Sequence, residues 1–303
     1  MSKNSNTLII TGACGFIGRH LLGRVQDYPG PILAVDRVEP VGATLGRTVR
    51  FHRSDLSNPA DLLPAGFDVA SGFTLVHLAW DMRRASDFAL HLDQARLLTA
   101  LLDYWKDRGL ARVVGMGSAE EYGSRSGLIH EYDPPLAPLS PYGAGKHAAY
   151  VAASSWAARA KCDLIWLRPF LVYGQDQGGD MMLPYAVAKA RAKEPAEFTD
   201  GLQERDLVHV EDVAEAIKAA ALHEVAGVRV LNVGSGTPVP IREVLLEVAR
   251  LMDAKALFHM GARPRRTGEP ERQVADISAA RDLLGWSPKI GWREGIAGVV
   301  GSQ

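Results

Sequence analysis

An α/β architecture, a doubly wound parallel sheet with a smaller carboxyl-terminal lobe, is what this chain predicts, and three observations carry it. Short apolar runs of strand length alternate with helical stretches as far as residue 170. Glycines stand at positions 12, 15 and 18, between the first apolar run and the first helix. The next run ends in an acid, Asp36. Such alternation argues for a parallel sheet covered on both faces, with ligands at the carboxyl ends of its strands.

In order, Leu8 to Ile10 of TLIITGACGFIG read as a buried strand, and FIGRHLLGRVQ as a helix. PILAVDR (31–37), VRFHRSDL (49–56) and TLVHLAW (74–80) are the next three strands. DFALHLDQARLLTALLDYWKDRG (87–109) is a long helix with a glycine stop. ARVVGMGS (111–118) is a fifth strand, and a helix follows from Pro141, capped by Ser140. CDLIWLRPF (162–170) is a sixth, blocked by Pro169. After residue 172 the rhythm changes. RDLVHVEDVAEAIKAAAL (205–222) is strand then helix, RVLNVGSG (229–236) a strand with a glycine turn, and IREVLLEVARLM (241–252) an amphipathic helix. The segment 261–295 is basic and rich in turns.

Bulk composition excludes several functions. With Lys+Arg 34 against Asp+Glu 35, the net charge of -1 leaves no electrostatic footprint for nucleic acid or an anionic membrane. Two cysteines, Cys14 and Cys162, give no disulfide framework, and nine histidines show no metal-ligand spacing, so no metal is expected. MSKNSN lacks the apolar run of a signal peptide, and no stretch reaches membrane-spanning length. A cytoplasmic protein is the expectation.

Gly12, Gly15 and Gly18 permit a tight turn and close approach of a pyrophosphate to the backbone. The amides of Phe16 and Ile17 at the helix start supply donors and a positive dipole. Asp36 is placed to accept both ribose hydroxyls of an adenosine and to repel a 2′-phosphate, which favours NAD over NADP. Arg37 partly reverses that preference. Asp55 reads either as a contact to the adenine edge or as a helix cap. Tyr142 and Lys146 share one helix face. An ammonium beside a phenol lowers the phenol's pKa and suits it to acid–base work, whereas an ordinary i,i+4 pair is the plainer reading. GMGSA (115–119) has its serine one place late for a nucleophile elbow, and no phosphate-binding GxxxxGK[ST] occurs.

Taken as an ordered set, TGACGFIG, Asp36, Asp55–Leu56, HLA (77–79), GSAEEYG (117–123), YGAGK (142–146), LRPFLVYG (167–174), DGLQERDLVHVEDVAEAI (200–217), LNVGSG (231–236) and ADISAARDLLGWSP (275–288) resemble the extended short-chain dehydrogenase/reductases, specifically the nucleotide-sugar epimerase/dehydratase group. The resemblance implies a Rossmann-like domain over 1–171, completed by 205–236, and a substrate-binding lobe from 172–204 and 237–303. It implies Tyr142 as acid/base, Lys146 on the nicotinamide ribose, and Ser118 on the sugar oxygen. Leu56, Leu78, Ala79 and Pro169 would join the cofactor contacts. It also implies a homodimer packed through the helices 87–108 and 141–160.

Departures refine the expectation. Ala119–Glu120 replaces the dehydratases' Asp-Glu pair, which disfavours loss of water. Leu171 and Gln94 stand where relatives carry asparagine, and Trp80, Asp81 and Met82 where they carry small residues. Trp80, Ser118 and Glu120 are candidate sugar contacts; Glu121 is either another or structural. Arg205 and Arg266 are the candidate diphosphate ligands, Arg265 a surface residue and His209 structural. The expected activity is an NAD(P)-dependent epimerisation of a nucleotide-diphosphate sugar by transient oxidation at C4. A one-way 4-keto-6-deoxysugar reductase is the alternative, and a non-catalytic dinucleotide-binding protein the rival from another class.

Overall fold

A computed structural model describes residues 7–40, 49–69, 72–82, 86–133, 138–179 and 181–301. The chain opens with β1 (Thr7–Thr11), turns into α1 (Phe16–Arg24), and continues to β2 (Ile32–Asp36) and β3 (Val49–Arg53). β4 (Phe73–His77) leads to α2 (Phe88–Trp105), then β5 (Leu110–Met116), β6 (Gly127–Ile129) and α3 (Pro141–Ala160). β7 (Asp163–Pro169), β8 (Leu171–Tyr173), α4 (Met182–Ala192), β9 (Ala196–Glu197) and β10 (Glu204–His209) follow. The rest is α5 (Val210–Leu222), β11 (Val228–Val233), β12 (Pro238–Pro240), α6 (Ile241–Leu251), β13 (Phe258–His259), β14 (Arg272–Ala275), α7 (Ser278–Leu284) and α8 (Trp292–Gly301).

Seven strands form one parallel sheet in the order β11-β7-β5-β4-β1-β2-β3. The strand order reverses between β1 and β4, and a crevice opens there at the carboxyl ends. Strands buried on both faces need two cores. One places Ile10, Val76 and Leu167 under α1 and α5; the other places Ile9, Leu75 and Trp166 under α2 and α3. α3 lies close on α2 because Gly145 carries no side chain: a Cβ there would meet His91 Cβ at 2.5 Å.

The segment 205–236 divides. α5 and β11 join the large sheet's layer, but β10 pairs with β8, β12 and β14 in a second sheet. The buried carboxylate of Asp206 ties that sheet to the turn after β11. It accepts from Ser235 N and Oγ (2.5 and 2.7 Å), Gly236 N (2.9 Å) and Ala275 N (3.0 Å). A third core, around Leu183, Val244, Leu245 and Ile296, fills the smaller lobe between α4, α6 and α8. Among the described residues no helix is long and apolar enough to cross a membrane, and no cluster of His, Cys, Asp or Glu is placed to hold a metal.

Candidate active site

At the crevice the glycine turn is dictated by contact. Gly12 has φ +69°, and a Cβ on it would meet Ala79 N at 2.6 Å and Leu78 C at 2.7 Å. A Cβ on Gly18 would overlap Gly12 O and Ala13 O, so α1 can start flush against the turn only with glycine there. Gly15 is the N-cap of α1, and no side chain caps the first-turn amides, Phe16 and Ile17 among them. Asp36 closes β2 with its carboxylate accepting from Cys14 N (2.9 Å) and Val38 N (3.2 Å). Gly12, Cys14, Gly15 and Asp36 line a cavity of about 600 Å³ together with Arg37, Asp55, Leu56, Leu78, Ala79 and Trp80. Bare amides, a glycine cradle and an acid at the second strand fit a dinucleotide. Asp55 accepts from Ser57 N at 2.9 Å, while Asn58 caps the next helical turn, so Asp55 is not that cap. Ile17 packs on the core beneath the turn, and Pro169 is buried at the end of β7.

Behind Trp80 lie the three predicted catalytic side chains. Ser140 Oγ accepts from Gly143 N at 3.0 Å and starts α3 as the sequence predicts, which sets Tyr142 and Lys146 one turn apart. Ser118 follows β5; its hydroxyl accepts from Glu120 N at 3.1 Å and stands close enough to the Tyr142 phenol to oppose the rise in its pKa. Lys146 is buried; its Nζ donates to Met116 O at 2.8 Å and lies 4.0 Å from the Trp80 ring centroid. One expectation is corrected here. Burial and the Glu120 charge raise the Tyr142 phenol above its ordinary value, opposed by the Ser118 hydroxyl. The ammonium is drawn instead to Met116 O and the Trp80 face, with the Tyr142 ring centre 5.8 Å away.

Burial lowers Lys146 itself to about 7, against the pull of Glu121. An unfolded lysine titrates near about 10.4. Below about pH 7 both states are charged, and the native state bears the whole desolvation cost. Between about pH 7 and 10 only the unfolded chain keeps the proton, so stability rises with pH. Lys146→Met is expected to stabilise the ligand-free fold by on the order of 1–3 kcal/mol at about pH 6, with the gap closing as pH rises. Thermal melts across that range check it; a variant that melts no higher than the parent at the acid end would contradict the buried-amine account.

Glu121 resolves as structural. It is fully buried, and its carboxylate accepts from Ser118 N (2.9 Å), Trp166 Nε1 (3.0 Å) and Arg168 (3.0 Å). Burial would raise its carboxyl, but His147, Arg168 and Trp166 hold it below the usual range. Glu120 is exposed and accepts from the Ser140 hydroxyl. Trp80 Nε1 donates to the buried His91 at 3.1 Å, with the two rings stacked. Gln94 clasps the backbone of Asp81 through both amide atoms, so its amide is used rather than left to solvent.

Two of the arginines behave differently from expectation. Arg205 spends its guanidinium inside the fold on Glu204 O (2.9 Å), Pro270 O (2.8 Å) and Glu269 (2.6 Å), and burial lowers its pKa. Arg265, expected at the surface, is bound by Asp200 and Glu271. Arg266 is exposed. His209 caps α5, accepting from Glu211 N at 3.3 Å. The sequence reading missed Arg168 and His91. It also missed His77, whose imidazole bonds Thr11 at 2.9 Å and is lowered to about 3 by burial and the Lys146 charge.

Residues 8–234 match the model of the NAD dependent epimerase/dehydratase family. The chain belongs to that family. Across it, the dTDP-glucose 4,6-dehydratase of Xanthomonas campestris is 33% identical, covering 97% of this chain and 92% of its own length. The UDP-glucose 4-epimerase of Mycolicibacterium smegmatis is 28% identical, with 96% of each covered. Among solved structures, MoeE5 in complex with UDP-glucuronic acid and NAD is 33% identical and superposes with a TM-score of 0.85 over 97% of each chain.

Proposed function

We propose that this family member is an NAD-dependent nucleotide-sugar 4-epimerase. The observation that carries the reading is the grouping of Ser118, Tyr142 and Lys146, with Tyr142 and Lys146 one turn apart on α3, next to a cavity whose glycine turn and Asp36 fit a dinucleotide. NAD, when bound, supplies a hydride acceptor and donor. Gly12, Gly15 and the first-turn amides hold its pyrophosphate, and Asp36 its adenosine ribose. Tyr142 takes the proton from the C4 hydroxyl and returns it to the ketone oxygen on the way back, with Ser118 bonding that oxygen throughout. Its raised pKa keeps the phenol protonated and ready to donate. The base half of the cycle needs the phenolate, and in this structure the Ser118 hydroxyl is the group that lowers the phenol toward it.

Trp80 and Glu120 flank the sugar, and the exposed Arg266 meets the diphosphate from the lobe built by 172–204 and 237–303. The domain that holds the dinucleotide is 1–171 completed by α5 and β11, with β10 given over to the second sheet. Exposed Phe88, Leu92 and Val151 on α2 and α3 support a homodimer through those helices. Ala119 supplies no acid to protonate a departing hydroxyl, which argues against dehydration despite the Xanthomonas relative.

The first test is to denature freshly purified protein and identify what is released by mass spectrometry. Stoichiometric NAD, followed by conversion of UDP- or dTDP-hexoses to their 4-epimers, is the expected result. An empty protein that consumes NADH or NADPH with a 4-keto sugar would make it the reductase. Failure to bind any dinucleotide would sink the enzymatic reading.

A further inference from the structure

At the mouth of the cavity, the residue after Asp36 is held by a second acid. Arg37 Nη2 lies 3.2 Å from Asp81 Oδ2, with Arg37 about half exposed and Asp81 only 13% exposed. Asp81 is presented by a helix rather than by its own loop. Its N–H donates to Gln94 Oε1, and Gln94 Nε2 donates back to Asp81 O at 3.2 Å. Asp36, Arg37, Asp81 and Gln94 line the same cavity.

A carboxylate that accepts ribose hydroxyls repels a phosphate ester on that ribose. A guanidinium beside it overcomes the repulsion through paired, charge-assisted bonds. Arg37 is the group next in chain to do this. Arg19, which also lines the cavity, donates to Asp176 O at 3.2 Å, on the far side of the glycine turn. An arginine already facing a carboxylate offers less charge and fewer N–H groups to a phosphate.

We propose that Asp81, presented by Gln94, is a specificity-determining residue: it captures Arg37, withholds the guanidinium from an adenosine 2′-phosphate, and so sets the site against NADP. The proposal rests on the dinucleotide reading above. Two acids then act on one ribose position, Asp36 by repulsion and Asp81 by occupying the neighbouring cation.

A half-exposed ion pair is a weak tether, so the expected change is modest and sensitive to salt. The experiment equilibrates the full chain with equimolar NAD and NADP at low ionic strength and near-neutral pH, removes free nucleotide, and counts both species by mass spectrometry. Asp81→Asn is expected to raise the bound NADP:NAD ratio about fivefold, and added salt to shrink that gain. Arg37→Gln alone should leave the ratio at the parent value, and Asp81→Asn/Arg37→Gln should return it there. A parent that keeps NAD, with a ratio that Asp81→Asn does not move, overturns the proposal and leaves the NAD reading standing. So does a gain that survives in the double variant, or an equal loss of both nucleotides in Asp81→Asn. A parent that binds neither nucleotide overturns the dinucleotide reading and this proposal with it.

Discussion

Tyr142→Phe is expected to lower turnover by about a thousandfold, the size of a lost proton-transfer group, while NAD remains bound. The substitution removes one oxygen and leaves the ring, which packs edge-on against Trp80 and His91. The fold therefore has no reason to move, and the glycine turn and Asp36, which carry the dinucleotide, are untouched. Ser118→Ala should cost less, about a hundredfold, because the hydroxyl positions and shares the proton rather than being its final donor. The two losses should not add, since both hydroxyls act on the same substrate oxygen. Steady-state rates of epimer formation, measured beside the amount of NAD retained, separate the outcomes. A Phe variant that keeps a tenth or more of the parent rate takes Tyr142 out of the proton path. A variant that is slow because it has lost NAD would place the side chain in cofactor binding instead.

What could be read in the sequence was whatever local backbone chemistry enforces. Gly12 is favoured by its φ of +69° and Gly18 by the Gly12 and Ala13 carbonyls that a Cβ would overlap, so their spacing announces the turn from local backbone geometry alone. Ser140 and Pro141 fix the start of α3 by capping, and helix periodicity then puts Tyr142 and Lys146 together. Periodicity could not say where the ammonium points, because Met116 O and the Trp80 face reach it from other elements. The arginines illustrate the same limit. Arg205 and Arg265 differ in role because of where Glu269, Asp200 and Glu271 fall after folding, and no spacing rule ranks them. The placement of β10 in the second sheet depends on its pairing with β8, which a strand pattern alone does not specify.

Glu121 joins the legible and the hidden, and changing it should have the largest effect on stability. Its first role is local: with Ser118 it forms the S-x-x-E capping box of the short helix 119–122, a pattern visible in SAEE. Its second is to pair with Arg168, 47 residues further along the chain and 2% exposed, which no short-range pattern reveals. Glu121→Gln keeps the shape but leaves Arg168 a buried charge without its counter-charge. The expected cost is about 3–5 kcal/mol, a fall in melting temperature of about 5–8 °C for a chain of this length. Arg168→Met should cost a similar amount, because it strands the carboxylate. Removing both charges together, as Glu121→Met/Arg168→Met, should recover a good part of the loss, since a buried pair adds little over well-packed apolar side chains. The pH dependence follows from the carboxyl being held below its usual range. Its stabilisation is present above the unfolded value of about 4.3 and is lost as pH falls through the lower native value. Glu121→Gln should therefore flatten the acid limb of the stability curve as well as lower it. The same substitution should slow turnover beyond its effect on folding, because the carboxylate also accepts from Ser118 N and so positions the residue that works beside Tyr142. Denaturant titrations of the three variants from about pH 4 to 8 test the account, and a Gln variant within about 1 kcal/mol of the parent, with an unchanged acid limb, would show that the pair is not a charged one.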